Sequence, residues 1–306
     1  MSNLKEIHDR IKSVGDTMKI TNAMYMISSN KMMKAKREHE KTQDYFYALQ
    51  AMIARIGRHV PPETNNVYLE SYDHIPKEER VRGYLIITDD KGMAGAYNHN
   101  VLKLAQENID SISAPYKLYV VGEVGRHYYH SRQEEIEESF LYTAQNPTLS
   151  RARHIADTIM EAYESRKLNE VYAVYTAVGS GMSCAPAISR VLPLDLLLSS
   201  RKNYNGTLGV RLEEFHMEPS PEALINNIVP NYIVGFIYGC LVESYCSAQM
   251  SRMSAMDNAN KNAQEMIKDL QQKYNRERQA LITQEITEVA SGAMALKRAK
   301  EIRTLG

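Results

Sequence analysis

The residues best placed to do chemistry sit between 89 and 98, reading Asp-Asp-Lys-Gly-Met-Ala-Gly-Ala-Tyr-Asn. Gly92 to Tyr97 follows an apolar run and precedes a helical pattern, the context a phosphate-cradling loop needs. The third glycine of a dinucleotide fingerprint is missing, as is the Lys-Ser/Thr pair that supplies phosphate charge and a magnesium ligand. Asp89 and Asp90 are adjacent carboxylates on a turn, where helix capping or solvation is the simpler reading than acid–base work. Gly179-Ser180-Gly181 reads as a plain turn. Asn205-Gly206-Thr207 matches a glycosylation acceptor, but with no secretion signal in view it too reads as a turn. His127 and His130 stand three apart on a predicted helix without a third ligand, so no metal site is expected. Cys184, Cys240 and Cys246 are an odd, scattered set that fits a reducing compartment. Cys240 and Cys246 point about 240° apart around a helix and cannot pair within it. No cofactor is expected.

The elements around these residues are more informative. With 37 basic and 37 acidic residues the formal net charge is zero, which argues against a general nucleic-acid binder. The first residues, Met1 to Thr17, are charged throughout and carry no secretory signal. No run of 18 consecutive apolar residues occurs, so no direct membrane insertion is expected. Steps of three and four from Leu4 pass through Ile7, Ile11, Val14, Met18, Thr21, Tyr25, Ser28, Met32, Ala35, His39, Thr42, Phe46, Leu49, Ile53 and Ile56. That heptad seam predicts one helix over residues 3 to about 57, about 80 Å long, in a coiled coil. Ile20, Ala23, Met24 and Ile27 form a second apolar strip, which predicts a second neighbour there.

Pro61 and Pro62 open a linker. Short apolar runs at 83–88, 117–121, 171–178 and 190–198 then alternate with helical patterns at 99–109, from about 123, and at 149–167. This rhythm predicts a small α/β domain with a largely parallel sheet. Beyond it, Ser220, Pro221 and Glu222 read as N-cap, first helical residue and acidic first turn. Pro230 predicts a short helix ahead of the long one. From Tyr232 to about Arg303 no proline occurs, and Met253, Met256, Asn260, Ala263, Ile267, Leu270, Tyr274 and Leu281 continue a seam, with Glu277 its exception.

The last helical stretch, Tyr274 to Leu296, has Ile282, Ile286, Val289, Ala293 and Leu296 on one stripe. On periodicity alone this is an amphipathic helix packed on its own domain. Its wording, however, closely resembles the C-terminal signature of the gamma subunit of F-type ATP synthases, carried by Asn275, Arg278, Gln279, Ala280, Ile282, Thr283, Glu285, Ile286, Gly292, Ala293, Ala295 and Leu296. Near the other end, Ile11, Ser13, Val14, Thr17, Lys19, Ile20, Thr21, Ala23, Met24, Met26, Lys31 and Met32 match that family's N-terminal run, while Gly15 and Asp16 depart from it. Phe215 to Glu222 resembles the junction leading to the family's final helix, Arg252-Met253 and Ala255-Met256 match a further run, and the Gly92 loop with Asn98 resembles one the family carries as architecture.

The resemblance implies a mixed α+β and α/β fold: a long antiparallel coiled coil of N- and C-terminal helices (1–60 and 221–306) and a small Rossmann-like α/β foot (68–215). It implies a non-catalytic rotor whose partners are the alpha and beta subunits of a hexameric head, the epsilon subunit and the membrane c-ring. Carried over by motif, Met24, Arg252, Arg278, Gln279 and Thr283 would face beta, and Phe215 and Glu218 would lie toward epsilon and the c-ring. The implied location is the cytoplasmic face of an energy-coupling membrane, held peripherally. The final helix should overrun its partner, leaving Ile282 to Leu296 apolar and uncovered, and the basic tail from Lys297 should protrude or fray. The competing readings are a coiled-coil scaffold with an α/β head and a nucleotide-dependent enzyme using the Gly92 loop.

Overall fold

The computed structural model describes residues 2–59, 66–70, 72, 74–179, 183–194, 218 and 220–304. Nine elements follow in order: α1 (Ser2–His59), β1 (Arg82–Ile87), α2 (Tyr97–Asp110), β2 (Tyr116–Val121), α3 (Glu123–Ser131), α4 (Leu149–Glu164), β3 (Glu170–Val178), β4 (Cys184–Leu192) and α5 (Pro221–Thr304). The chain divides into two compact units, Met1–Ile27 with Ser254–Gly306, and Ser28–Met253.

In the larger unit a four-stranded sheet runs β2-β1-β3-β4. β1 pairs in parallel with β2 and β3, while β4 returns antiparallel beside β3. β1 is buried along its whole length, as a strand covered on both faces must be. Its alternate side chains part to opposite faces. Tyr84 and Ile86 join Val101, Leu102, Ala105 and Ile109 of α2 and Tyr129 of α3. Leu85 and Ile87 join Ile155, Ile159 and Tyr163 of α4, with Val229, Ile233 and Ile237 of α5 and Ile53 and Ile56 of α1. The crossing from β2 into α3 needs Gly122: its φ is +95°, and an added Cβ would lie 2.5 Å from the Thr88 carbonyl oxygen.

Two expectations need correction here. The fourth strand is Cys184–Leu192, not 190–198; residues 195–198 lie outside the described residues. The apolar run after Val191 suggested the later span, but the strand that forms is the half-buried edge, which tolerates Pro186 because one side of it needs no partner. Nor does Pro230 divide the final helix: α5 runs from Pro221 through it. Ile225, Val229 and Ile233, stacked at four-residue spacing, are 4%, 1% and 0% exposed, and this buried ridge holds the helix across the missing N–H. The Ser220 cap forms as expected, its Oγ accepting from the Ala223 N–H at 3.2 Å. By length and composition the Pro221–Leu296 stretch could cross a membrane, yet 56% of its apolar window is buried within the protein.

Within the same unit α1 and α5 pass closely. A Cβ on Gly235 would collide with the Phe46 ring, so glycine is what admits that ring. The Met32 carbonyl accepts from the Cys246 thiol at 3.9 Å. Cys240 and Cys246 are free and buried, and burial pushes the Cys246 thiol pKa up to about 11.

In the smaller unit α1 and α5 form an antiparallel pair. The ring of His8 lies 6.2 Å from that of Tyr274, and Thr21 and Asn22 meet Asn260. Leu4, Ile7, Ile11, Val14, Met18, Thr21 and Tyr25 are the half-buried seam of α1 in this unit. On α5 Met256 and Asn260 are buried, Ala263, Ile267, Leu270, Tyr274 and Leu281 are half-buried, and Glu277 is exposed. The heptad expectation therefore holds residue by residue, including its exception.

Candidate functional site: an uncovered apolar helix end

After Leu281 the seam stops and the helix continues. Ile282, Ile286, Val289, Met294 and Leu296 are 46%, 64%, 73%, 63% and 71% exposed. No glycine but Gly292 and no proline interrupt this span, and Thr283 and Thr287 return their hydroxyls to the carbonyls of Gln279 and Thr283 at 2.8 and 2.7 Å. The result is a helix whose apolar stripe faces solvent, a surface soluble chains do not keep without a partner. Elsewhere in the same unit, on α1, Ile20, Met26 and Ile27 are 61%, 62% and 53% exposed. Of the second apolar strip of α1, Ile20, Ala23 and Ile27 are exposed and Met24 is half-buried, so most of it is uncovered among the described residues.

The residues expected at a partner surface fall into three groups. Arg278, Gln279 and Thr283 are exposed on α5, and Met24 is half-buried on α1 in the same unit. Arg252, in the larger unit, is 8% exposed; its Nη2 donates to Asp89 Oδ2 at 2.5 Å and to the Gly92 carbonyl at 3.2 Å. Asp89 is itself 3% exposed. Glu218 is exposed, and Phe215 lies outside the described residues, as do the side chains from Lys297 onward.

The Gly92 loop is occupied by the protein's own groups. The carbonyls of Lys91 and Gly92 point at a guanidinium, whereas a phosphate cradle would turn N–H groups inward. Asp90 ties the turn to neighbouring segments: its carboxylate accepts from the N–H groups of Glu123 and Ala144 at 3.2 Å, and from the Thr143 hydroxyl. Asn98 Oδ1 accepts from the Asp89 N–H at 2.9 Å. These contacts make the loop a clasp between β1, α3 and α5, which is the architectural reading of the motif. Asp90 accepts from the first N–H of α3, the capping that the turn context suggested, while Asp89 pairs with Arg252. What the sequence did not reveal was Asp89 as the partner of Arg252, since 163 residues separate them. Among the described residues no cluster of three His, Cys, Asp or Glu side chains could hold a metal.

Comparisons with known proteins converge on one family. The ATP synthase family model matches residues 3–296. The ATP synthase gamma chain of Caldanaerobacter subterraneus is 42% identical over 299 residues, covering 94% of this chain and 98% of that one. That of Ruminiclostridium cellulolyticum is 38% identical over 296 residues, covering 97% and 99%. A gamma chain of Acetobacterium woodii described as sodium ion specific is 37% identical over 308 residues, covering 96% and 99%. Among solved structures, a chain of the Euglena gracilis mitochondrial ATP synthase in rotational state 3 superposes with a TM-score of 0.65 at 15% identity, covering 98% of this chain and 96% of that one. One from the central stalk and c-ring of the Tetrahymena thermophila enzyme gives 0.56 at 22%, covering 78% and 99%. The family model, which spans nearly the whole chain, places it in the ATP synthase family. Within that class this chain belongs to the gamma-chain family.

Proposed function

We propose that this chain is the turning central shaft of an F-type ATP synthase, coupling ion flow through the membrane c-ring to ATP synthesis or hydrolysis in the alpha/beta head. The single observation that carries this reading is the stripe from Ile282 to Leu296, apolar and exposed on a helix that no other part of the chain covers among the described residues. A hexameric ring with an apolar central channel would cover it. The shaft carries no catalytic residue. As it turns, each beta subunit meets a different side of it, and the binding site there is biased among its conformations by differential contact. Arg278 and Gln279 suit transient charge-assisted hydrogen bonds to acidic loops of beta, with Thr283 and Met24 beside them. Arg252, matched by the same motifs, would act from the larger unit, where it holds the Asp89 loop. Glu218 and Phe215 would lie toward the epsilon subunit and c-ring. The shaft works peripherally, at the cytoplasmic face of the membrane.

Co-expression with alpha and beta subunits tests the proposal. A complex with one copy of this chain per three alpha and three beta, in which a bead attached to the chain rotates on ATP addition, is expected. A chain that purifies alone from such cells would overturn it. Met24→Lys should impair coupling more than it lowers the melting temperature, and an equal loss of both would reject that contact.

A further inference from the structure

We infer that the groove between α1 and α5 in the larger unit is a binding site for a small organic cation of the quaternary-ammonium class, held among the rings of Phe46, Tyr175, Tyr232 and Phe236 and against the Glu243 carboxylate. The site would be present whether or not the chain turns. It is a cavity of about 190 Å³. Two glycines, one turn of α5 apart, shape it. Gly235 admits the Phe46 ring, which a Cβ there would strike. At Gly239 a Cβ would meet nothing closer than His39 Nε2, at 3.7 Å, so no clash demands glycine at that position. Glycine is a poor residue for a helix interior, and what it leaves at 239 is open space between the two helices.

The carboxylate decides the charge of the occupant. Glu243 is half-buried, and its Oε2 accepts from the Val178 N–H at 3.2 Å. No lysine, arginine or histidine among the described residues pairs with it. Burial raises its pKa, and no neighbouring cation offsets that effect. His39 lines the same groove, yet burial lowers its pKa, so at pH 8 its ring is neutral and supplies no charge. A partly buried anion without a counter-charge is costly to keep. The walls decide the kind of cation. Aromatic faces attract positive charge, and the rings of Tyr232 and Phe236 stand 6.3 Å apart in the same wall. Calcium or magnesium would need about six or more oxygen ligands, and among the described residues no cluster of acidic, histidine or cysteine side chains supplies a metal site. A primary ammonium calls for several hydrogen-bond acceptors. A fully methylated ammonium calls for none, and so suits a single carboxylate among rings. Nucleotides are too large, since pockets for ligands of that scale start at about 300 Å³.

The probe is choline chloride, added to the full chain at pH 8 against sodium chloride of equal ionic strength. Binding is read by equilibrium dialysis of labelled choline and by the melting temperature. The control is the neutral carbon isostere, dimethylbutanol, which keeps the shape of choline and lacks its charge. Choline should bind saturably and raise the melting temperature, with the isostere weaker by about tenfold or more. Glu243→Gln should weaken choline by about tenfold. The same change should stabilise the free chain at this pH, so lost binding would not reflect lost folding. Phe236→Leu should weaken choline by about threefold. Absence of saturable binding, or equal binding of choline and its isostere, would overturn the inference. So would a melting temperature that responds to choline and sodium alike, or choline binding that survives Glu243→Gln unchanged.

Discussion

Replacing Arg252 by methionine should destabilise the larger unit by about 3–5 kcal/mol, the usual consequence of leaving one member of a buried ion pair alone. The structure favours the upper part of that range. Asp89 is 3% exposed, and after the substitution its carboxylate would keep only the Asp90 N–H, at 2.8 Å, while the carbonyls of Lys91 and Gly92 lose their shared donor. At about 2–4 °C per kcal/mol for a unit of this size, the melting temperature should fall by roughly 10 °C. Asp89→Asn removes the charge, and the Asp89→Asn, Arg252→Met double variant should recover much of the loss, giving a coupling term of a few kcal/mol in a double-mutant cycle. Denaturant titration followed by tyrosine fluorescence reads each corner. A loss under about 1 kcal/mol, or a double variant as poor as the sum of the singles, would refute the clasp.

Four further outcomes are open to measurement. Burial raises the pKa of Glu243, against the lowering effect of the Val178 N–H that its carboxylate accepts at 3.2 Å. A raised carboxyl favours folding below its unfolded pKa and loses that contribution as the pH rises through the folded one. Glu243→Gln should therefore raise the melting temperature at pH 8, with the gap closing below about pH 4. Gly235→Ala should lower stability through the Phe46 ring, and Phe46→Leu in the same chain should return part of it; additive losses would exclude the contact. Changing Ile286, Val289 and Leu296 together to glutamate should move the stability of the isolated chain by no more than about 0.5 kcal/mol per site, while abolishing assembly with alpha and beta. Equilibrium dialysis of the isolated chain against ATP should show no saturable site lost on Gly92→Val.

The long helices were legible because a seam is a periodic signal. Every position from Leu4 to Ile56 read as seam is half-buried or buried, and Glu277 is the exposed exception. The sheet was legible as alternating apolar runs, but its edge was not. β4 carries Pro186, small residues and half-buried positions, so the apolar residues after it read more strongly than the strand itself. Pro230 misled for a related reason: local propensity argued for a break, and burial of Val229 and Ile233 decided otherwise. Arg252 shows the limit of motif transfer. Its position was found from neighbouring residues, yet what it touches depends on a loop far away in sequence.

The helix end past Leu281 has a thermodynamic origin as well as a surface. A free peptide of that length would be mostly coil in water, because starting a helix costs about 4 kcal/mol before any turn repays it. Here no start is needed: the paired stretch upstream serves as a finished nucleus, and Ile282 to Leu296 only propagate from it. Amide exchange should accordingly quicken step by step toward the C-terminus, and loosening the upstream pair should melt the free segment with it. A binding surface held this way arrives at its partner already ordered, so association does not have to supply the folding entropy of that segment.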